Sequence, residues 1–546
     1  MPVITYRKED LFELLGKKLS DKELEEAIHS FKLNVEEISE EEIEIEHTAE
    51  RIDMFGIEGL ARALKYYLGI NKKVQKFKVS KPKVSVLVKN VPIRPYIACA
   101  VVRNVKLTDS FIRSLMNIQE VLHDTLGRKR VKVAIGIHDF DKISFPAKYE
   151  QVSPKEKMVP LGEKREMTLE EILEKTEKGK QFAHIIKDSE YWPVYSDKKG
   201  IFSFPPILNS ERTRVTEKTK NLFVEITGIN KEATLIALNV LVTNFAERGC
   251  KIEGVKLKYG RKIEITPKLK ETARIVNLKN AEKLTGLKFS PSLAKKLFLK
   301  MGMNAKSLGK SRIKVFIPPY RSDILHEWDL IEDLVIAYGF DKIKPELPKL
   351  GTKGKLNELE EFADKFRTLM IGLGFQEVMT PVLSNPKDQF ERMSLKPQEF
   401  VEIENPASEL YTCLRVWLLP NLMKFLTANK HVEFPQMIFE IGDVVIVDEN
   451  EETQTKNRKK LAAVISHSNA NFAQIRSIID ALLKNIGISY RIEPFEHPSF
   501  IQGRVGKILV DDKEIGFFGE IHPQVLENWD LEMPTVGLEI YIDGLK

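Results

Sequence analysis

IPPYRSDILHEWDLIEDLVIAYGFDKIKPELP, residues 317–348, sets four carboxylates around the first turns of one short amphipathic helix. Ser322 or Asp323 is the expected cap. Ile324, Trp328, Ile331, Val335 and Tyr338 recur at the spacing of a buried stripe, and Gly339 followed by Pro345 ends the helix. Asp329, Glu332 and Asp333 then share one face at i, i+3 and i+4. Asp323 lies roughly one and a half turns earlier, at about 3.6 residues per turn, so its side chain can reach back to the same patch. Oxygen-only ligands of this kind suit Mg²⁺. The alternative is a solvated acidic face whose charges are favourable near a helix N-terminus.

The frame around this helix adds a second argument. Pro318-Pro319-Tyr320-Arg321 precedes it, and Tyr338-Gly339-Phe340-Asp341-Lys342-Ile343 follows, closed by Leu347-Pro348. Together with Arg321, Asp323, Ile324, Asp329, Leu330, Ile331, Glu332 and Asp333, these segments resemble the beta subunit of phenylalanyl-tRNA synthetase, of the archaeal and eukaryotic type. The resemblance implies that Asp323, Asp329, Glu332 and Asp333 bind Mg²⁺ at the contact with an alpha subunit. The one departure is Asp in place of Glu at 333, which shortens the reach and keeps the charge.

At 546 residues, 42% hydrophobic and 30% charged, the chain is long enough for about three to five domains with cores of their own. Cys99, Cys250 and Cys413 are too few and too scattered for a disulfide framework or a Cys-x-x-Cys metal site, which points to a reducing cytoplasm. The N-terminal stretch lacks an apolar signal core, and apolar runs such as 97–102 and 235–242 are too short to span a bilayer, so no membrane association is expected. A net charge of +6 does not diagnose nucleic-acid binding by itself. Residues 22–46 are acidic, whereas 72–89, 128–132 and 251–262 are basic. Such runs are solvated faces or, for a tRNA partner, the patches that neutralise phosphate.

Four units are expected, in a multidomain α+β chain. Residues 1–83 form an N-terminal module, with helices at 8–15 and 21–30, an acidic strand at 43–46 and a basic linker at 72–83. Residues 84–268 mix strands with helices, including a strand at 222–228 on which Phe223, Glu225 and Thr227 share one face, and a short strand at 182–186. Residues 269–348 read as helix, turn, helix, strand, a winged-helix-like order that ends in the acidic helix. Residues 355–546 form a large C-terminal domain with a helix at 356–373 and a strand at 377–383.

The second unit resembles the family's editing domain, which hydrolyses tRNA carrying the wrong amino acid, chiefly tyrosine. Gly136-Ile137-His138-Asp139-Phe140-Asp141, Ser203-Phe204-Pro205-Pro206-Ile207 and Asn221-Leu222-Phe223-Val224-Glu225-Ile226-Thr227-Gly228 carry the likeness. Such chemistry needs polar groups that recognise a phenol hydroxyl and place water at an ester carbonyl. A site built to bond a hydroxyl disfavours a ligand without one. Ser203, Asn209, Glu225 and Thr227 have suitable side chains. Each also has an ordinary reading: Asn209 as a turn residue, Glu225 as a solvent-facing strand residue, His138 as a loop histidine.

The C-terminal domain resembles a class II synthetase core, an antiparallel sheet flanked by helices. Asn405-Pro406, Leu414-Arg415, Phe439-Glu440-Ile441-Gly442, His497-Pro498-Ser499-Phe500, Gly503-Arg504 and Gly516-Phe517-Phe518-Gly519-Glu520 arrive in the family's order. It departs where class II enzymes hold ATP with two arginines. Phe439-Glu440 stands in the first place, and Val536-Gly537-Leu538-Glu539 leads into no Gly-rich segment with a Glu-Arg pair. Without those cations the charge of adenylate formation lacks stabilisation. Arg415 and Arg504 read as sheet-edge or subunit-interface partners. No phosphate-binding P-loop, dinucleotide fingerprint, His-Glu-x-x-His or nucleophile elbow is present.

The expectation is therefore a non-catalytic beta subunit in an α2β2 phenylalanine–tRNA ligase. It supports ATP-dependent charging by the alpha subunit, binds tRNA(Phe) and proofreads tyrosyl-tRNA(Phe). The rival readings are a nucleic-acid-binding adaptor and a free-standing aminoacyl-tRNA hydrolase.

Overall fold

YIACAVVR, the Tyr96–Arg103 strand, is apolar and buried on both faces from Ile97 to Val102, as a central strand must be. In the computed structural model, which describes residues 2–348 and 351–545, it pairs antiparallel with Asn221–Gly228 on one side and Lys251–Tyr259 on the other. Two units, Met1–Glu346 and Leu347–Lys546, make up the chain.

In the first unit, among the described residues, a 10-stranded mixed sheet runs through Leu208–Asn209, Gly200–Phe204, Trp192–Asp197, Ala147–Val152, Val79–Val88, Lys251–Tyr259, Tyr96–Arg103, Asn221–Gly228 and Val133–Asp139, with Lys262–Thr266 paired to Lys251–Tyr259. Helix Lys231–Glu247 covers one face. Asn230 caps it by accepting from Ala233 N, and its sequence, KEATLIALNVLVTNFAE, is apolar nearly all round. The opposite face carries Tyr149, Tyr195, Phe202 and Phe223 around Cys99.

The first seventy residues build a three-stranded sheet in which Ile43 and Ile45 point inward while Glu42, Glu44 and Glu46 alternate outward. Residues 272–338 build another, with helices Leu278–Thr285 and Pro291–Lys300 started by Asn277 and Ser290. Both share one contiguous apolar core with the Lys231–Glu247 helix, extending from Ile4 to Ala337.

The second unit is a seven-stranded sheet, antiparallel except where Gln376–Glu377 joins Gln436–Val447. Helices Glu358–Gly372 and Phe472–Ile486 contribute to one hydrophobic cluster and Leu419–Ala428 to another.

Several local expectations are corrected. The acidic helix is Glu327–Tyr338, and neither Ser322 nor Asp323 caps it. His326 is the cap, and Asp329 Oδ2 accepts from Leu325 N at 2.7 Å and His326 N at 2.6 Å. Asp323 is unavailable because Arg321 holds both of its oxygens. Trp328 is 58% exposed and lies off the buried stripe, which runs through Leu330, Ile331, Leu334 and Val335. Residues 182–186 are not a strand: helix Glu177–Phe182, capped by Thr176, runs straight into the turn Ala183–Ile185. The basic linker is shorter than expected, because Val79–Val88 is a sheet strand. The 377–383 strand is interrupted around Pro381, which has no N–H to give a ladder, leaving only Gln376–Glu377 and Leu383–Ser384.

Candidate active site

Asn221–Gly228 sits between Tyr96–Arg103 and Val133–Asp139, so Glu225 faces Cys99 on one side and Gly136 on the other. Both faces of this strand are covered. The solvent-facing reading of Glu225 is therefore corrected: it is 1% exposed. A buried carboxylate needs partners. Ser203 Oγ donates to Glu225 Oε1 at 2.8 Å, while Oε2 has no hydrogen bond within the chain.

Ser203 comes from the Gly200–Phe204 strand, where it pairs directly with Asn209. Asn209 Nδ2 donates to Ile137 O at 3.2 Å, tying that strand end back to the Val133–Asp139 strand. Ser203, Asn209 and Glu225 all line one cavity of about 470 Å³, walled by Met116, Ile137, Pro206 and other apolar side chains. Thr227 is not in this wall. It is fully buried, and Arg94 donates to its Oγ1 at 3.2 Å and to its carbonyl at 2.9 Å. Burial lowers the Arg94 guanidinium to about 10, still charged at neutral pH, so Thr227 serves as an anchor for that cation.

Two residues complete the inner end. His138 is fully buried with Nδ1 2.9 Å from Thr213 Oγ1; its Nε2 is 3.8 Å from Glu225 Oε1 and has no hydrogen-bond partner. Gly136 provides the room: a Cβ there would stand 2.2 Å from Glu225 Oε1 and 3.0 Å from His138 Nε2. Thr213, which no motif marked, reaches the cavity because the turn Glu211–Thr213 follows Ser210, whose hydroxyl accepts from Arg212 N. Burial pushes the Cys99 thiol and Tyr195 phenol, on the same face of the sheet as Glu225, well above their ordinary values. The cavity thus presents an apolar slot with the Glu225 carboxylate in its wall, and beside that carboxylate the His138 Nε2, outside the wall, has no partner within the chain. That arrangement can bind a flat apolar group that carries a hydroxyl.

The four carboxylates of the acidic segment do meet: Asp323, Asp329, Glu332 and Asp333 line a cavity of about 60 Å³ together with Lys32 and Arg321. Cations of the chain already hold three of them, while Asp329 accepts from the backbone N–H groups of Leu325 and His326. Arg321 bridges Asp323 at 2.7 Å and Asp333 at 2.8 Å, and Lys32 pairs with Glu332 at 2.7 Å. Burial raises Asp333 to about 6 against the pull of Arg321. Burial also acts on Asp323, but Arg321 and Arg51 hold that carboxyl below its usual value. Among the described residues no three acidic, His or Cys side chains converge as metal ligands. As the side chains stand, Arg321 and Lys32 supply the positive charge that a metal would bring, so these residues fit Mg²⁺ only if Lys32 leaves Glu332.

In the second unit, Arg415 and Glu440 form a buried ion pair at 2.8 Å, and Arg415 also donates to Asp443 O and Thr380 Oγ1. Lys460 and Glu539 form another at 2.8 Å, with Glu539 Oε2 accepting from Leu418 N and Leu419 N at the start of helix Leu419–Ala428. Arg504 pairs with Glu520 at 2.6 Å. Both arginines are thus engaged with carboxylates of the same unit.

A chain with this cavity and these two units has clear relatives. Family models match along it in order: the Phe-tRNA synthetase beta subunit B1 domain over residues 1–70, the B3/4 domain over 86–269, the tRNA synthetase B5 domain over 275–340 and the phenylalanyl tRNA synthetase beta chain CLM domain over 343–542. The phenylalanine–tRNA ligase beta subunit of Pyrococcus horikoshii is 43% identical over 555 residues, and that of Methanocaldococcus jannaschii 42% over 550, each covering 100% of both chains. The crystal structure of an N-terminal fragment of the phenylalanyl-tRNA synthetase beta-subunit from Pyrococcus horikoshii superposes with a TM-score of 0.60 at 40% identity. The match covers 62% of this chain and 100% of the fragment. The chain belongs to the phenylalanine–tRNA ligase beta subunit family. Among the described residues no helix is long and apolar enough to cross a membrane, and the three cysteines are free and buried.

Proposed function

We propose that this chain is the proofreading subunit of a phenylalanine–tRNA ligase, hydrolysing tyrosine wrongly joined to tRNA(Phe). The observation that carries this reading is the Glu225 carboxylate in the wall of the large cavity, whose Oε2 has no partner within the chain. A tyrosine ring fits the apolar walls, and its hydroxyl satisfies that oxygen. Phenylalanine leaves it unpaired and buried, at a cost of about 1–3 kcal/mol. Hydrolysis adds water to the ester carbonyl, breaks the acyl–oxygen bond and releases tyrosine and a free 3′-terminal ribose hydroxyl.

The name beta subunit carried by the relatives supports assembly with an alpha subunit; we read the complex as an α2β2 heterotetramer in the cytoplasm, in which the alpha chain uses ATP to charge tRNA(Phe) and this chain contributes to tRNA binding. In the C-terminal unit, read as a class II-like domain without synthetic activity, Arg415 is spent on Glu440 and Glu539 on Lys460. Arg415 and Lys460 are thereby engaged and not free for the charge of adenylate formation. Residues 269–348 are read as winged-helix-like. A magnesium ion shared with the alpha subunit at Asp323, Asp329, Glu332 and Asp333 is a separate proposal, supported by their common cavity. It requires Lys32 to release Glu332.

The test is deacylation by the assembled enzyme. Tyrosyl-tRNA(Phe) is expected to be hydrolysed far faster than phenylalanyl-tRNA(Phe); equal rates on the two would remove the proofreading reading.

A further inference from the structure

The two ends of the large cavity differ in charge. The inner end holds the buried Glu225 carboxylate, whereas Arg130, Lys178 and Arg214 line the cavity against one further acid, Glu120. Arg130 is committed to structure: it donates to Ile207 O at 2.8 Å and Pro206 O at 3.3 Å and pairs with Glu120 at 2.8 Å, fixing the turn that forms the apolar wall. Lys178 and Arg214 are not so bound. The Lys178 side chain is 46% exposed with Nζ 4.0 Å from Glu120, and the Arg214 side chain is 57% exposed with its nearest acid, Glu211, at 3.3 Å. They belong to separate elements, the short helix Glu177–Phe182 and the segment after the Glu211–Thr213 turn.

The backbone beside Arg130 is unusual in the same direction. Arg128, Lys129 and Arg130 all take positive φ, at 48°, 52° and 68°, a left-handed run that side-chain-bearing residues rarely adopt. It folds Arg130 inward and leaves Arg128 and Lys129 exposed. Cations in excess at the open side and a hydroxyl-binding carboxylate at the closed end match an ester whose acyl part bears a hydroxyl and whose alcohol part bears phosphates.

We propose that Lys178 and Arg214 bind the phosphodiesters next to the 3′-terminal nucleoside of the RNA whose aminoacyl group enters the cavity. This rests on the hydrolytic reading above. Lys178 and Arg214 are positioning residues: they place the terminal ribose, and hence the ester, over the cavity.

The experiment compares two substrates on the assembled enzyme, tyrosyl-tRNA(Phe) and the tyrosyl ester of adenosine, which has no phosphate. In the Lys178→Ala, Arg214→Ala double variant, the kcat/KM preference for the tRNA ester over the adenosine ester is expected to collapse. The slope of log kcat/KM against log salt for the tRNA ester is expected to become shallower by about 1.4, two single-strand phosphate contacts at about 0.7 each. The charge-keeping variant Lys178→Arg, Arg214→Lys is expected to restore both. An unchanged preference and salt slope overturn the proposal, and so does an equal loss on both substrates, which marks a structural role. Failure of the unmodified enzyme to hydrolyse either ester would instead remove the hydrolytic reading itself.

Discussion

Ser203 Oγ and Glu225 Oε1 lie 2.8 Å apart, joining two strands of the large sheet that are not neighbours. The bond satisfies one carboxylate oxygen and fixes a side chain that lines the cavity, leaving the other oxygen without a partner in the chain. A buried carboxylate with one oxygen spare is an unmet demand in the chain alone, and a ligand hydroxyl meets it.

Gly136 is the residue that permits this geometry. Gly136→Ala forces the Glu225 carboxylate away from a Cβ that would otherwise sit 2.2 Å from it. Tyrosyl-tRNA hydrolysis is expected to slow on the order of ten- to a hundredfold, the worth of one charged hydrogen bond, with phenylalanine charging by the assembled enzyme retained. Deacylation and aminoacylation on one preparation check it; unimpaired hydrolysis would mean that Glu225 has room to spare.

Acid should destabilise the C-terminal unit through His497. Burial among Trp417, Phe500 and Phe517 lowers this imidazole to about 4, against about 6.5 in an unfolded chain. The unfolded chain therefore binds the proton first, so stability is full above about pH 6.5 and falls as pH drops towards 4, by up to about 3 kcal/mol. Asp333, raised to about 6, acts in the opposite sense in the other unit, since its protonation favours the folded state. The expected result is that His497→Phe flattens the loss of denaturant stability between pH 6.5 and 4; an unchanged slope would assign that loss to other groups.

Much of the fold was legible in the sequence where periodicity and caps agreed. Helices Leu278–Thr285 and Pro291–Lys300 carry Asn277 and Ser290 at their starts and left-handed Gly286 and Gly302 near their ends, in the helix, turn, helix order expected there. The strand Asn221–Gly228 was legible as well, but not which of its faces is wet. A strand covered on both sides gives alternation no solvent to report, so Glu225 read equally as surface or site. Trp328 failed for the converse reason, since spacing counts a large apolar residue as core whether or not anything packs on it. Thr227 shared the face of Glu225, yet its hydroxyl was already taken by Arg94, a residue 133 positions earlier that no local pattern connects to it.

Pyrophosphate exchange should be absent from the chain purified without its alpha partner. Arg415 and Glu440 are each about 2% exposed and engaged with one another, which leaves neither for a triphosphate. Exchange dependent on ATP and phenylalanine in such a preparation would contradict the non-synthetic reading of the C-terminal unit.

Replacing Asp329 and Glu332 together with alanine is expected to weaken assembly with the alpha subunit in a metal-dependent way. Loss of the Asp329 cap alone costs about 0.5–2 kcal/mol of stability irrespective of metal. Native mass of the complex with and without chelator separates the two effects. Assembly that is insensitive both to chelator and to the substitutions would leave the cluster as an internal ion-pair network built on Arg321 and Lys32.

The most direct measurement is deacylation of pre-charged tyrosyl-tRNA(Phe) by the assembled enzyme carrying Glu225→Ala, beside aminoacylation with phenylalanine on the same preparation. The account predicts a drop in hydrolysis on the order of ten- to a hundredfold with charging nearly intact. Hydrolysis at the unmodified rate would contradict it, and equal losses in both activities would mark a folding or assembly defect in place of a lost contact with the tyrosine hydroxyl.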